Sequence, residues 1–381
     1  MQLPVDIKAV IDEATNIDEA RLTSLSVSVY LDDSAPGDVQ AHVRQAFASA
    51  SPHARVSLMY LDGRPFVPFS GDDMAVIVAG LNEQVGEYAA QVRAAGVPVM
   101  IVTTLPSLVA DIAKAQGAPI PHGDLVAPKV PKDPKAEPIP LPAPDASANG
   151  AEAMQAAGID SPNEPYALDV FAAASLDERM GGWVIAACND KRLAFALAFP
   201  FVRKPLSLEA VNSTALQNAG VGLLVIIPGA DMPVMTLNQA KMLLMIAASY
   251  GEELNAERVK ELAALVGGAF ACRAVARQLV AFVPALGWAV KAAIGYTGTI
   301  AMGRAAIEYY EDGATLGKLA DAVGQARDKV VQAAAKHAAQ KAQATGVKAA
   351  GAVRERAGRA AQAAGSACDA AFTRLSAGKN R

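Results

Sequence analysis

Between Ser24 and Pro128 the chain repeats one pattern, a short and nearly continuous apolar run followed by a stretch with helical spacing. The runs SLSVSVYL, ARVSLMYL, MAVIVAGL and VPVMIVTT read as strands, and GDVQAHVRQAFASA, EQVGEYAAQVRAAG and SLVADIAKAQG read as helices. A strand that is apolar at almost every position must be covered on both faces, and the helices that alternate with it supply the cover. Residues 1–127 are therefore expected to form an α/β domain with a small doubly wound parallel sheet. Gly96 and Gly117 close the second and third helical stretches, where a left-handed cap residue ends a helix.

Seven prolines between Pro128 and Pro144 exclude regular helix or sheet, so residues 128–164 read as an extended linker or insertion. From about Pro165 onward the spacing is helical. Residues 165–205 are expected to complete or join the α/β domain, 206–315 to form an all-α domain, and 316–381 to form a long, Ala-rich basic C-terminal helix. Met242 to Ile246 is apolar around the whole helical circumference, which predicts burial on every side. With 52% hydrophobic but only 5% aromatic residues, the core must be built mainly from Ala, Val, Leu and Ile, which suits helix packing.

The formal net charge of -4 conceals a segregation: Lys318 to Arg381 carries twelve Lys or Arg against four Asp or Glu, which leaves the remainder acidic. Cys188, Cys272 and Cys368 show neither zinc-ligand spacing nor a disulfide framework, and the opening residues lack the layout of a signal peptide, so a cytoplasmic setting is expected. The four histidines form no HExxH pair and no GxSxG elbow occurs, so no metal, cofactor or catalytic residue is expected.

The first strand runs into the turn Asp32-Asp33-Ser34-Ala35-Pro36-Gly37-Asp38, where nucleotide-binding folds hold phosphate. A phosphate loop needs glycines, a lysine and a hydroxyl at GxxxxGK[ST] spacing, and none of this is present. Three carboxylates there repel an anion. Asp33, Ser34 and Asp38 read instead as helix caps. Thr103-Thr104-Leu105-Pro106 stands where a guanine-reading Asn-Lys-x-Asp box would fall, and Asp62-Gly63 reads as a turn.

In the helical half, the low-specificity binding candidates are Asp231, Asn238, Gln239, Arg273, Arg277 and Lys291. Asp231 follows a Pro-Gly turn before a helix expected at Thr236 to Tyr250, where its carboxylate or the Thr236 hydroxyl would cap free N–H groups. Asn238 and Gln239 open that helix with polar groups suited to core hydrogen bonding. Arg273 and Arg277 lie one turn apart, and with Lys291 they suit either buried carboxylate pairs or an anionic lipid head group. Gly295, Thr299 and Gly303 form a small-residue stripe that lets another helix approach closely, a basis for partner or self-association together with the C-terminal helix and its Gly351, Gly358 and Gly365. A membrane span needs about 20 apolar residues. Only thirteen uncharged residues separate Arg277 from Lys291 and twelve separate Lys291 from Arg304, so a hairpin that touches or partly enters a membrane is expected rather than a spanning one.

The segments FPFVR (Phe199 to Arg203), QNAGVG (Gln217 to Gly222), IPGADMPVMTLNQAKM (Ile227 to Met242), AASYG (Ala247 to Gly251) and VPALGWAVKAAIGYTGTIAMGRAAIEYYEDG (Val283 to Gly313) together resemble the bacterial family known as domain of unknown function 697. The resemblance covers roughly residues 195 to 315. It implies a helical domain that often follows an Era-type GTPase domain, with some members membrane-associated, and hence a degenerate P-loop GTPase-like origin for the N-terminal domain. The family has no established catalytic residues to carry over.

The expected role is a non-catalytic, membrane-proximal adaptor or scaffold on the cytoplasmic side, with a pseudo-GTPase domain. A nucleotide-dependent switch with a non-standard phosphate site is the competing reading. Association with nucleic acid or anionic lipid through the basic tail is a third.

Overall fold

A computed structural model describes residues 21–49, 51–61, 65–129, 168–224, 231–254 and 287–312, together with residues 14, 17 and 19. The Asp62-Gly63 turn, the linker at 130–167, Arg273, Arg277 and the C-terminal tail lie outside the described residues. The chain divides into two compact units, Leu22–Pro205 and a second made of Met1–Arg21 with Leu206–Arg381.

The first unit is built on five parallel strands, β1 (Leu25–Asp32), β2 (Ala54–Leu61), β3 (Met74–Val78), β4 (Val99–Val102) and β5 (Leu125–Val126), in the order β2-β1-β3-β4-β5. All four expected strands are present. The short fifth, only two residues long, carries too little periodicity to be seen in the sequence. The helices α1 (Gly37–Ala46), α2 (Val85–Ala94) and α3 (Pro106–Ala115) fall where helical spacing placed them. Gly96 and Gly117 have φ of +80° and +77°. At Gly96 the Val97 N–H reaches the Val92 carbonyl and the Gly96 N–H the Arg93 carbonyl, a complete Schellman cap; Gly117 and Ala118 repeat it on Lys114 and Ala113.

Alternation along the strands fills both faces. Tyr30, Ile77 and Ile101 join Tyr88, Val92 and Val109 of α2 and α3 in one core cluster, while Val27, Val29, Val76, Met100 and Val102, of the opposite parity, are equally buried. The segment 165–205 supplies α4 (Val170–Ala187), α5 (Arg192–Ala198) and the start of α6 (Pro200–Leu224). It is tied to the sheet unit at several points. His42 Nε2 lies 2.7 Å from Asp177, Lys191 Nζ donates to Asp73 at 2.6 Å and to the Ser24 carbonyl at 3.0 Å, and the Phe47 ring meets Phe199 and Phe201 with centroids 5.1 Å apart.

The second unit contains α6 beyond Pro205, α7 (Asp231–Ser249) and α8 (Gly287–Asp312). Met242, Leu243, Leu244 and Ile246 are buried, and Met245 is half-buried, as the all-round apolar pattern requires. Gly251, with φ +87°, ends α7 through a third Schellman cap, its N–H on Ala248 and that of Glu252 on Ala247. The helix begins at Asp231, five residues earlier than expected, because Pro233 falls in its first turn, where a missing N–H costs nothing. Thr236 therefore lies inside the helix rather than at its cap, and Asn238 and Gln239 lie in the third turn rather than opening it.

Candidate functional site

In an open sheet of this order, ligands bind beyond the carboxyl ends of the strands, where β1 and β3 diverge. Here that position is filled by the chain itself. Asp32, the last residue of β1, is 2% exposed. Its Oδ1 accepts the Ser34 N–H at 3.1 Å and the Asn82 amide at 3.3 Å, and its Oδ2 accepts the Ser34 hydroxyl at 2.7 Å and the Gly80 N–H at 3.0 Å. Gln40 Nε2 closes the turn from α1 onto the Asp32 and Ala35 carbonyls. A Cβ on Gly80 would stand 2.2 Å from the Ser34 carbonyl carbon and oxygen, so only glycine permits this approach of the β3 loop to the β1 turn.

The capping expected of Asp33, Ser34 and Asp38 does not occur in that form. The residue before α1 is Pro36, without a side-chain cap. Ser34 serves Asp32 instead, and Asp38 accepts the Val39 N–H at 2.9 Å and the Leu168 N–H at 2.8 Å. Asp32 outcompetes the helix end for Ser34 because a buried carboxylate must be hydrogen-bonded, whereas an exposed helix end has water. Beside β4, the Thr104 and Ser107 hydroxyls at the start of α3 are buried without a hydrogen-bonding partner among the described residues.

At the opposite end of the sheet the buried Cys188 is not an activated nucleophile. Burial, then the nearby Asp73 charge, pushes the Cys188 thiol up to about 12 despite Lys191, so it stays protonated at neutral pH. Among the described residues no group of His, Cys, Asp and Glu is arranged to hold a metal ion.

In the helical unit, two of the six sequence-derived binding candidates come together. Asn238 Nδ2 donates to Asn218 Oδ1 at 3.0 Å, while Asn218 Nδ2 and Gln239 Nε2 donate to the Thr299 hydroxyl at 3.0 and 2.8 Å. Thr299 passes its own proton to the Gly295 carbonyl at 2.7 Å. Asn218, Gln239 and Thr299 are buried, so this is a polar layer across α6, α7 and α8. The small-residue stripe makes it possible: a Cβ on Gly295 would lie 3.1 Å from the Asn218 carbonyl, and one on Gly303 only 2.2 Å from Val211 Cγ2. The helix that approaches the stripe is thus α6 of the same chain. Asp231 starts α7 and Lys291 lies in the second turn of α8. Arg273 and Arg277 fall outside the described residues.

Sequence reasoning missed Asp32 and Asn218 as organising residues. A carboxylate at the end of a wholly buried strand was the available signal for Asp32; Asn218, among the uncharged residues between Glu209 and Asp231, was that for the polar layer. Among the described residues, no helix is long and apolar enough to cross a membrane. Comparison with protein-family models, with curated proteins and with solved structures finds no match.

Proposed function

We propose that this protein is a non-catalytic adaptor that works beside a membrane, with a pseudo-GTPase-like α/β unit and a helical unit akin to the domain of unknown function 697. The observation that carries this reading is the Asp32 lock. A phosphate in that corner would have to displace four hydrogen bonds to a buried carboxylate and face its charge. The polar layer supports the scaffold part, because amide and hydroxyl groups satisfied only in one register hold three helices in a unique arrangement. Titration calorimetry of the full chain with GTP and ATP in magnesium tests the proposal. No heat of binding is expected, and a micromolar dissociation constant would overturn it.

One observation favours the competing nucleotide-switch reading. Ser107 in the first turn of α3 and Thr104 just before its N-cap Leu105 carry buried hydroxyls that have no hydrogen-bonding partner among the described residues, beside a helix start whose first backbone N–H groups have no intrahelical acceptor. The same titration with Thr104→Val decides: nucleotide binding that the variant abolishes would move the assignment to the switch.

A further inference from the structure

The two edges of the sheet differ. β5 is two residues long, whereas β2 runs for eight residues in unbroken register with β1, from Ala54 beside Leu25 to Leu61 beside Asp32. Among the described residues no strand lies on the outer side of β2. The Leu25 N–H donates to the His53 carbonyl at 2.8 Å. Successive residues of a strand turn their backbone groups to alternate sides, so Arg55, Ser57, Met59 and Leu61 face β1, while Val56, Leu58 and Tyr60 present N–H and C=O outward. The Ala54 N–H donates to the Ser51 carbonyl at 3.2 Å, which closes the run at its start. The open set is therefore three residues centred on Leu58.

Proteins blunt an exposed edge with lysines, a proline, a bulge or a very short strand. β2 uses none of these devices. Its only charged residue is Arg55, whose guanidinium lies 3.7 Å from Asp72 and 4.8 Å from the centre of the Phe69 ring. The side chains carry the same signal as the backbone. Leu58 and Tyr60 stand in register with Val29 and Leu31 on one face of the sheet. Val29 and Leu31 are fully buried, yet Leu58 and Tyr60 are 50% and 55% exposed, so the cover over that face stops one strand short of the edge.

We propose that β2 pairs with β2 of a second copy of this chain across a two-fold axis at Leu58, so that two five-stranded sheets become one. Identical strands related by a two-fold axis perpendicular to the sheet run antiparallel and keep the same face up. With Leu58 opposite its own counterpart, Val56 lies opposite Tyr60, and antiparallel pairs of this kind exchange both N–H···O=C bonds. The outward groups of Val56, Leu58 and Tyr60 in each copy then satisfy those of the other completely. An axis at Ser57 would oppose Tyr60 to Ala54, whose N–H is already used, and an axis at Met59 would run Val56 past the end of β2. This self-complementarity selects a second copy over an unrelated strand. Like charges do not meet, because Arg55 faces Leu61 and the two Arg55 backbones stand about 20 Å apart. One strand per copy buries less than the roughly 800 Å² of a standard interface, which puts the dimer in the micromolar range. The inference goes beyond the adaptor reading and does not rest on it.

Sedimentation velocity of the full chain across a micromolar concentration series tests the pairing. A monomer–dimer equilibrium is expected, weakened about tenfold by Leu58→Lys, which sets two ammonium groups opposite each other. Leu58 is half exposed, so the α/β unit survives the change, which circular dichroism verifies. Crosslinking reads the register. In a full-length background of Cys188→Ala, Cys272→Ala and Cys368→Ala, the Leu58→Cys chain should oxidise to a covalent dimer and the Val56→Cys chain should not. Opposed Cα atoms at Leu58 would lie about 5.5 Å apart, within the roughly 4.4–6.8 Å that a disulfide spans, whereas those at Val56 would be about 14 Å apart. A monomer at every concentration, a dimer that Leu58→Lys leaves intact, or failure of Leu58→Cys to crosslink more readily than Val56→Cys would each overturn the proposal. None of these results bears on the nucleotide titration by which the adaptor reading stands or falls.

Discussion

Replacing Asp32 by Ala tests the lock at the switch point directly. Of its four donors, Ser34 lies in an exposed turn and Asn82 is half-buried, so both regain water when the carboxylate is lost. The Gly80 N–H is buried and loses its acceptor. An orphaned buried donor costs about 1–3 kcal/mol, and a charge-assisted bond contributes about 1.5–3 kcal/mol, so a net loss of about 3 kcal/mol is expected. For a unit of this size each kcal/mol shifts the midpoint by about 2–4 °C, which places the change at about 6–12 °C. The chain has two units and need not melt as one, so a unit-specific probe is required. In a Trp288→Phe background Trp183 is the sole indole and reports on the α/β unit alone. Thermal melts followed by its fluorescence compare Asp32→Ala with the parent. Coincident midpoints would show that the carboxylate does not hold the two loops together, and the argument for a closed phosphate corner would fall with it.

Gly80→Ala forces a Cβ to 2.2 Å from the Ser34 backbone and should destabilise the same unit by more than about 2 kcal/mol in the same assay. Gly303→Ala meets Val211 Cγ2 at 2.2 Å; Val211→Ala in that background should restore part of the loss, and a double-mutant cycle in urea measures the coupling. Thr299→Val removes the acceptor of the buried Asn218 and Gln239 amides, so urea unfolding should show a loss of about 2–5 kcal/mol that Thr299→Ser largely avoids. The Cys188 thiol is held up to about 12 in the fold against an ordinary 9.0, so the native state keeps a proton that the unfolded chain gives up. Its contribution is complete below pH 9.0 and is lost towards 12, at up to about 1.4 kcal/mol per pH unit. Urea midpoints between about pH 8 and 10.5 should therefore fall less steeply for Cys188→Ala than for the parent.

The order of strands and helices in the first unit was legible because its causes are local. A five-residue run such as MAVIV has no solvated face to offer, Gly96 and Gly117 occupy the one backbone region that other residues avoid, and the all-apolar circumference around Leu243 admits no exposed orientation. The same locality explains the misreadings. Ser34 and Asp38 follow capping rules until a buried carboxylate and a distant N–H compete for them, and the helix expected from Thr236 begins at Asp231 because Pro233 is accommodated in a first turn.

The chain's residues taken in order determined which segments must be buried, where helices end, and that the phosphate-loop residues are missing at the first turn. What only the tertiary structure decided is which groups meet: Asp32 with Gly80, forty-eight positions on, and Asn218 with Thr299, eighty-one positions on. The physical reason is that burial and backbone conformation are set residue by residue, whereas a hydrogen bond in the interior depends on where the whole chain has brought its second partner.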